Sequence, residues 1–91
     1  MSVSVLLPTA LQRYANDQEQ LSVEGATVGE SLKAVIEQAP QLGKHLFDTN
    51  GNIRSFVNVY LGDDDTRYLS GNETPVKDGD TLTIIPSIAG G

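Results

Sequence analysis

The stretch TVGESLKAVIEQAP, Thr27 to Pro40, carries the helix signal around which the rest of the chain is read. Val28, Leu32, Val35, Ile36 and Ala39 fall on one stripe at helical spacing, while Glu30, Lys33 and Glu37 occupy the opposite side, where they can pair at three- and four-residue offsets. Thr27 followed by Glu30 fits a capping box, in which each side chain satisfies a backbone donor that the first turn leaves unpaired, and Pro40 marks the end. A helix of this kind must lay its apolar stripe on something, and the flanking segments supply strands.

Upstream, SVSVLL (Ser2 to Leu7) alternates with the period of a half-buried strand, and EQLSVEG (Glu19 to Gly25) reads as its hairpin partner. PTALQRYANDQ, from Pro8 to Gln18, is a long polar connection expected to hold an irregular turn. Downstream, QLGKHLFDTNGN reads as a short helical turn and a loop, and IRSFVNVYLG (Ile53 to Gly62) as the strongest strand. DDDTRYLSGNETPVKDGD follows as turns around one short edge strand, and TLTIIPS, introduced by the Asp78-Gly79 turn signal, is the last strand. A ββαββ order with one main helix on a mixed four- to five-stranded sheet is an α+β roll.

Alternation then sorts the faces. With the helix over Val3, Val5, Leu7, Val57, Val59, Leu61, Leu82 and Ile84, the residues Leu6, Phe56, Asn58, Tyr60 and Ile85 belong to the uncovered side. That side is too apolar for a wholly solvated surface, which makes it a candidate docking patch, although Phe56 and Tyr60 also suit ordinary cross-strand aromatic pairing.

Composition narrows the function. Ninety-one residues with 38% apolar content provide one core and one domain. The longest apolar run is far short of a membrane span, and Pro8 interrupts an N-terminus that lacks a basic region, so the expectation is a cytoplasmic protein with no membrane partner. A net charge of −6 with six scattered Lys and Arg argues against nucleic acid. It is consistent with a protein partner bearing a basic face, or simply with solubility. Without cysteine there is no disulfide, thiolate nucleophile or thiolate metal site. Asp63, Asp64 and Asp65 lack the spacing of a cation loop, and His45 has no Ser, Cys or second His nearby in sequence, so neither a metal site nor a catalytic site of the chain's own is expected.

The end of the chain remains. SIAGG, Ser87 to Gly91, reaches about 17 Å when extended. Gly90 and Gly91 can thread a narrow channel because they have no β-carbon. Residues 1–86 are thus read as the folded domain and residues 87–91 as a flexible tail, with a frayed end of no function as the plainer alternative.

DGDTLTIIPSIAGG and FVNVYLGDDDTRYLSG, spaced as they are here, resemble the ubiquitin-like sulfur carriers of the ThiS/MoaD family. The resemblance covers the whole chain and implies a β-grasp fold. It implies further that an E1-like activating enzyme uses ATP and magnesium to adenylate the Gly91 carboxylate, which is ionised and a poor electrophile at neutral pH, and that sulfur then displaces AMP to leave a thiocarboxylate. No cofactor is implied for the carrier itself. Ala89, Gly90 and Gly91 would enter partner active sites, and Leu6, Phe56, Tyr60, Ile85 and Ile88 would form the docking surface. RSFVNVYLGDDDTRYLSG and PSIAGG look most like carriers serving cysteine biosynthesis from O-phosphoserine. In that route the acceptor is a pyridoxal-phosphate-dependent cysteine synthase, and a zinc metalloprotease frees cysteine from the Gly-Gly end. Molybdopterin synthesis, with the large subunit of molybdopterin synthase as acceptor, comes next. Two further readings stay open: a ubiquitin-like modifier joined to lysines through Gly91, and a plain interaction module.

Overall fold

The computed structural model describes residues 2–51, 53–54 and 57–86. Strands β1 (Ser2–Leu6), β2 (Gln20–Glu24), β3 (Val57–Leu61), β4 (Asp64–Asp65) and β5 (Thr81–Pro86) form a five-stranded sheet in the order β2-β1-β5-β3-β4. β5 lies between β1, to which it is parallel, and β3, to which it is antiparallel; β1–β2 and β3–β4 are also antiparallel. The α+β roll expected from the sequence is therefore present, with helix α2 (Val28–Gln38) across one face of a mixed sheet.

The α2 stripe is where the periodicity puts it. Val28, Leu32, Val35 and Ala39 are buried, and Ile36 is half-buried against the same core. Beneath them lie Val3, Val5, Leu7, Val57, Val59, Leu82 and Ile84, all buried, with Leu61 packed at the margin. Thr27 caps the helix, its Oγ1 accepting from the Glu30 N–H at 3.2 Å. The reciprocal bond reaches one residue further back than a capping box requires, because Glu30 Oε1 accepts from the Ala26 N–H at 3.0 Å. Ser31, absent from the apolar stripe, is also buried; its hydroxyl donates to the Thr27 carbonyl at 2.9 Å, so no donor is stranded.

Two expectations need correction. The Pro8–Gln18 connection is not an irregular turn but a helical one: α1 (Thr9–Gln12) passes into a 3₁₀ turn at Arg13–Ala15, and Asn16 and Asp17 then reverse the chain with φ of 56° and 63°. Ala15 is buried and Leu11 and Tyr14 pack partly buried against the same core, a helical spacing confined to one turn. The strand expected from Ile53 does not take in Ile53 or Arg54: Ile53 makes a lone antiparallel bridge with Phe47, and the Arg54 N–H bonds to the Leu46 carbonyl of α3 (Gly43–Leu46). These bonds turn the segment toward α3 before β3 begins. Among the described residues no helix is long and apolar enough to cross a membrane.

Candidate functional site: the β5 exit and the uncovered sheet face

The phase of β5 is set at its start. In the Asp78-Gly79-Asp80 turn, Gly79 has φ of 89°, a conformation that favours glycine, and the Asp80 N–H closes the turn on the Lys77 carbonyl at 3.0 Å. The same turn grips β1. Ser2 N–H donates to Asp78 Oδ1 at 2.8 Å, Gly79 N–H to the Ser2 carbonyl at 2.8 Å, and Ser4 N–H to the Asp80 carbonyl at 3.0 Å. With the register so fixed, Leu82 and Ile84 face the core and Thr81, Thr83 and Ile85 face away from it.

At its far end β5 outruns β1. The parallel pairing stops at Leu6 opposite Thr83, where β1 turns away through Leu7 and Pro8, whereas the β3 side continues to Val57 opposite Pro86. Ile84 to Pro86 are thus flanked by β3 and extend beyond the end of β1. The site residues Ile88, Ala89, Gly90 and Gly91 lie outside the described residues, as does Phe56.

The remaining members of the expected patch are brought together. Thr83 pairs with Leu6 on one side and Tyr60 on the other, and Ile85, two residues along the same face, pairs with Asn58. Leu6 and Tyr60 are half-buried, while Ile85 is 43% exposed. The face is therefore mixed, with apolar side chains around a threonine. Arg67 borders it: its guanidinium donates to Asn58 Oδ1 and, at 3.3 Å, to Asp65 Oδ2. Asp65 also accepts from the Arg67 N–H through Oδ1 at 2.9 Å, so this carboxylate of the Asp63–Asp65 run serves to hold the turn.

Sequence reasoning missed Arg67, and it missed that the most exposed large apolar side chains among the described residues, Tyr68 at 88% and Leu69 at 45%, stand beside β4 in the turn that follows it. An aromatic after a run of aspartates was the available signal. The His45 ring stacks on Tyr14 with centroids 4.2 Å apart and 25° between planes. Among the described residues no group of three or more His, Cys, Asp or Glu is placed to hold a metal ion.

Comparison with known proteins agrees along the full chain. The sulfur carrier protein CysO of Mycobacterium tuberculosis is 34% identical over 93 aligned residues that span the whole of both chains. The chain also superposes on a chain in the crystal structure of the Amycolatopsis orientalis BexX/CysO complex with a TM-score of 0.88 and 38% identity, covering 98% of this chain and 99% of that one. The small archaeal modifier protein 1 of Methanosarcina acetivorans gives a TM-score of 0.90 at 26% identity, covering 99% and 96%. These structures share the β-grasp, ubiquitin-like fold. The ThiS family model runs from Val5 in β1 through Gly91, and the chain belongs to the ThiS family.

Proposed function

We infer that the chain is a sulfur carrier whose working group is the Gly91 carboxylate, and that it serves cysteine biosynthesis. The supporting observation is the full-length likeness to CysO, in sequence and in shape, on a fold whose last strand extends past the end of β1. An E1-like enzyme binds ATP and magnesium, and the carboxylate oxygen attacks the α-phosphorus with loss of pyrophosphate. The resulting acyl-adenylate is attacked at carbon by a sulfur nucleophile, AMP departs, and a thiocarboxylate remains on Gly91. The thiocarboxylate sulfur then bonds to the three-carbon acceptor held by a pyridoxal-phosphate-dependent synthase, the cysteine so formed stays joined to the Gly91 carbonyl, and a zinc metalloprotease hydrolyses that bond to release cysteine from the Gly-Gly end. The chemistry belongs to these enzymes, and the carrier contributes a docking face and a substrate group without a catalytic site of its own. The cytoplasm is the compartment proposed.

The likeness to a small archaeal modifier protein supports a second reading, in which Gly91 is joined to lysines of target proteins. Intact-mass measurement after incubation with an E1-like enzyme, ATP, magnesium and a sulfide source separates the two. Replacement of one oxygen by sulfur on the Gly91 fragment marks the carrier, and lysine-linked conjugates in a cell extract mark the modifier.

A further inference from the structure

Although the chain is acidic overall, its charges are sorted along the direction of β5. Around the start of the strand lie Glu24, opposite Ser2 on the neighbouring β1–β2 pair, Asp78 and Asp80 in the turn, with Lys77 as a cation beside them, and Asp63 and Asp64 just past Gly62, whose N–H bonds to the Thr81 carbonyl. The exit end is different. Arg54 precedes Val57, the partner of Pro86, and its Nε donates to the Lys44 carbonyl at 2.8 Å. Lys44 adjoins His45, whose ring stacks on Tyr14, and the guanidinium of Arg13 stands 5.7 Å from the centre of that same tyrosine ring. Three segments far apart in sequence are joined in this way, and Arg13, Lys44 and Arg54, half of the six Lys and Arg in the chain, become neighbours with His45 among them. Arg13 and Lys44 are exposed. The carboxylates of this end are Glu19, whose carbonyl accepts from the Leu7 N–H where β1 ends, Asp17, at the close of the same connection as Arg13, and Asp48, whose Oδ1 accepts from the Asn50 N–H.

We propose that Arg13, Lys44 and Arg54 form a basic docking collar beside the β5 exit, which engages a carboxylate-bearing protein surface at the mouth of the channel that receives the tail. The proposal rests on the sulfur-carrier reading for the identity of that channel. Charge arrangement carries it. β5 spans roughly 17 Å from Thr81 to Pro86. The Debye length at physiological salt is about 8 Å, so an acidic surface meeting the exit end is attracted by the collar while the opposite pole is largely screened. A molecule polarised in this direction is turned tail-first during encounter. An extended polyanion such as nucleic acid would instead run from the collar over the acidic remainder of the surface, and the net charge of −6 opposes it.

The test uses the double variant Arg13→Glu with Lys44→Glu, both at exposed positions, and leaves Arg54 to its carbonyl contact. With circular dichroism unchanged, sulfur loading of Gly91 by the activating enzyme at low salt should show a KM raised about tenfold with kcat preserved, and the difference from wild type should shrink in high salt. Equal KM values at low salt would overturn the collar while leaving the carrier reading intact. A second measurement does not depend on loading. Short poly-L-glutamate added to the ¹⁵N-labelled wild-type chain should shift the amides of Arg13, Tyr14, Lys44, His45 and Arg54, and the double variant should not respond. Absence of those shifts, or shifts elsewhere, would reject the collar, whereas failure of the wild type to load would reject the carrier reading alone.

Discussion

Gly25 sits so close to Ser31 that a β-carbon placed on it would stand 2.7 Å from the serine hydroxyl and 2.8 Å from its backbone nitrogen. The contact brings the end of β2 directly against the first turn of α2. Ser31 cannot yield easily, because it is wholly buried and bonded to the Thr27 carbonyl. Gly25→Ala should therefore destabilise the fold by about 1 to 3 kcal/mol through overpacking. Thermal melting should register a drop on the order of 4 to 8 °C per kcal/mol in a domain of this size. An unchanged melting temperature would mean that the helix start shifts freely, contrary to the double bonding of its cap.

Leu32, 1% exposed in the middle of α2, tests the core, and the Gly-Gly end tests its independence from that core. Leu32→Ala should cost about 2 to 5 kcal/mol, a large share of a small domain's stability. Deleting Gly90 and Gly91 should leave the urea midpoint where it was. Comparable losses from the two changes would show that the end of the chain packs, and the delivery role would lose its basis.

On the uncovered face, Ile85 is the exposed member of the Leu6, Tyr60 and Ile85 group, and it lies on the part of β5 that extends beyond β1. Ile85→Asp should cost the fold about 1 kcal/mol, the span of strand preferences, while weakening adenylation through the loss of an interface anchor, typically about 2 kcal/mol or more. ATP–pyrophosphate exchange catalysed by the activating enzyme reads this directly. Exchange at the wild-type rate would remove the face from the docking surface.

Adding one residue after Gly91 should abolish sulfur loading, because the reactive carbonyl moves by about 3.5 Å and brings a side chain into a channel shaped for none. Gly90→Ala should slow loading strongly if that residue takes a positive φ within the activating enzyme, with no change in folding. Mass spectrometry of the three carriers after a timed incubation gives the answer. Full thiocarboxylate on the unprocessed extended chain would end the assignment of Gly91 as the working residue.

The parts of this molecule that repeat were legible in its sequence, and the parts that occur once were not. Three turns of α2 show a stripe, and alternation along β1, β3 and β5 assigns Val59 and Ile84 to the core and Tyr60 and Ile85 to the other side, as observed. Helix α1 has a single turn and no period to detect. The interruption before β3 depends on a bridge from Ile53 to Phe47, a tertiary event that strand propensity does not contain. At the candidate site, the Gly-Gly motif and the faces of β5 could be read directly. Arg67 over Asn58 and the Arg13, Lys44 and Arg54 grouping could not, because each depends on segments meeting only after folding. Net charge in particular concealed the second, since averaging over the chain erases the separation of its poles.

The placement of β5 also determines how the molecule bears load. Its hydrogen bonds run to β1 on one flank and β3 on the other. Because β1 and β5 are parallel, tension between the start of β1 and Pro86 pulls the two strands past one another lengthwise. The bonds joining them are then strained as a group in shear and are not opened one after another as in a peeled hairpin. A pull on the chain at Pro86 with the start of β1 held would therefore load those bonds together.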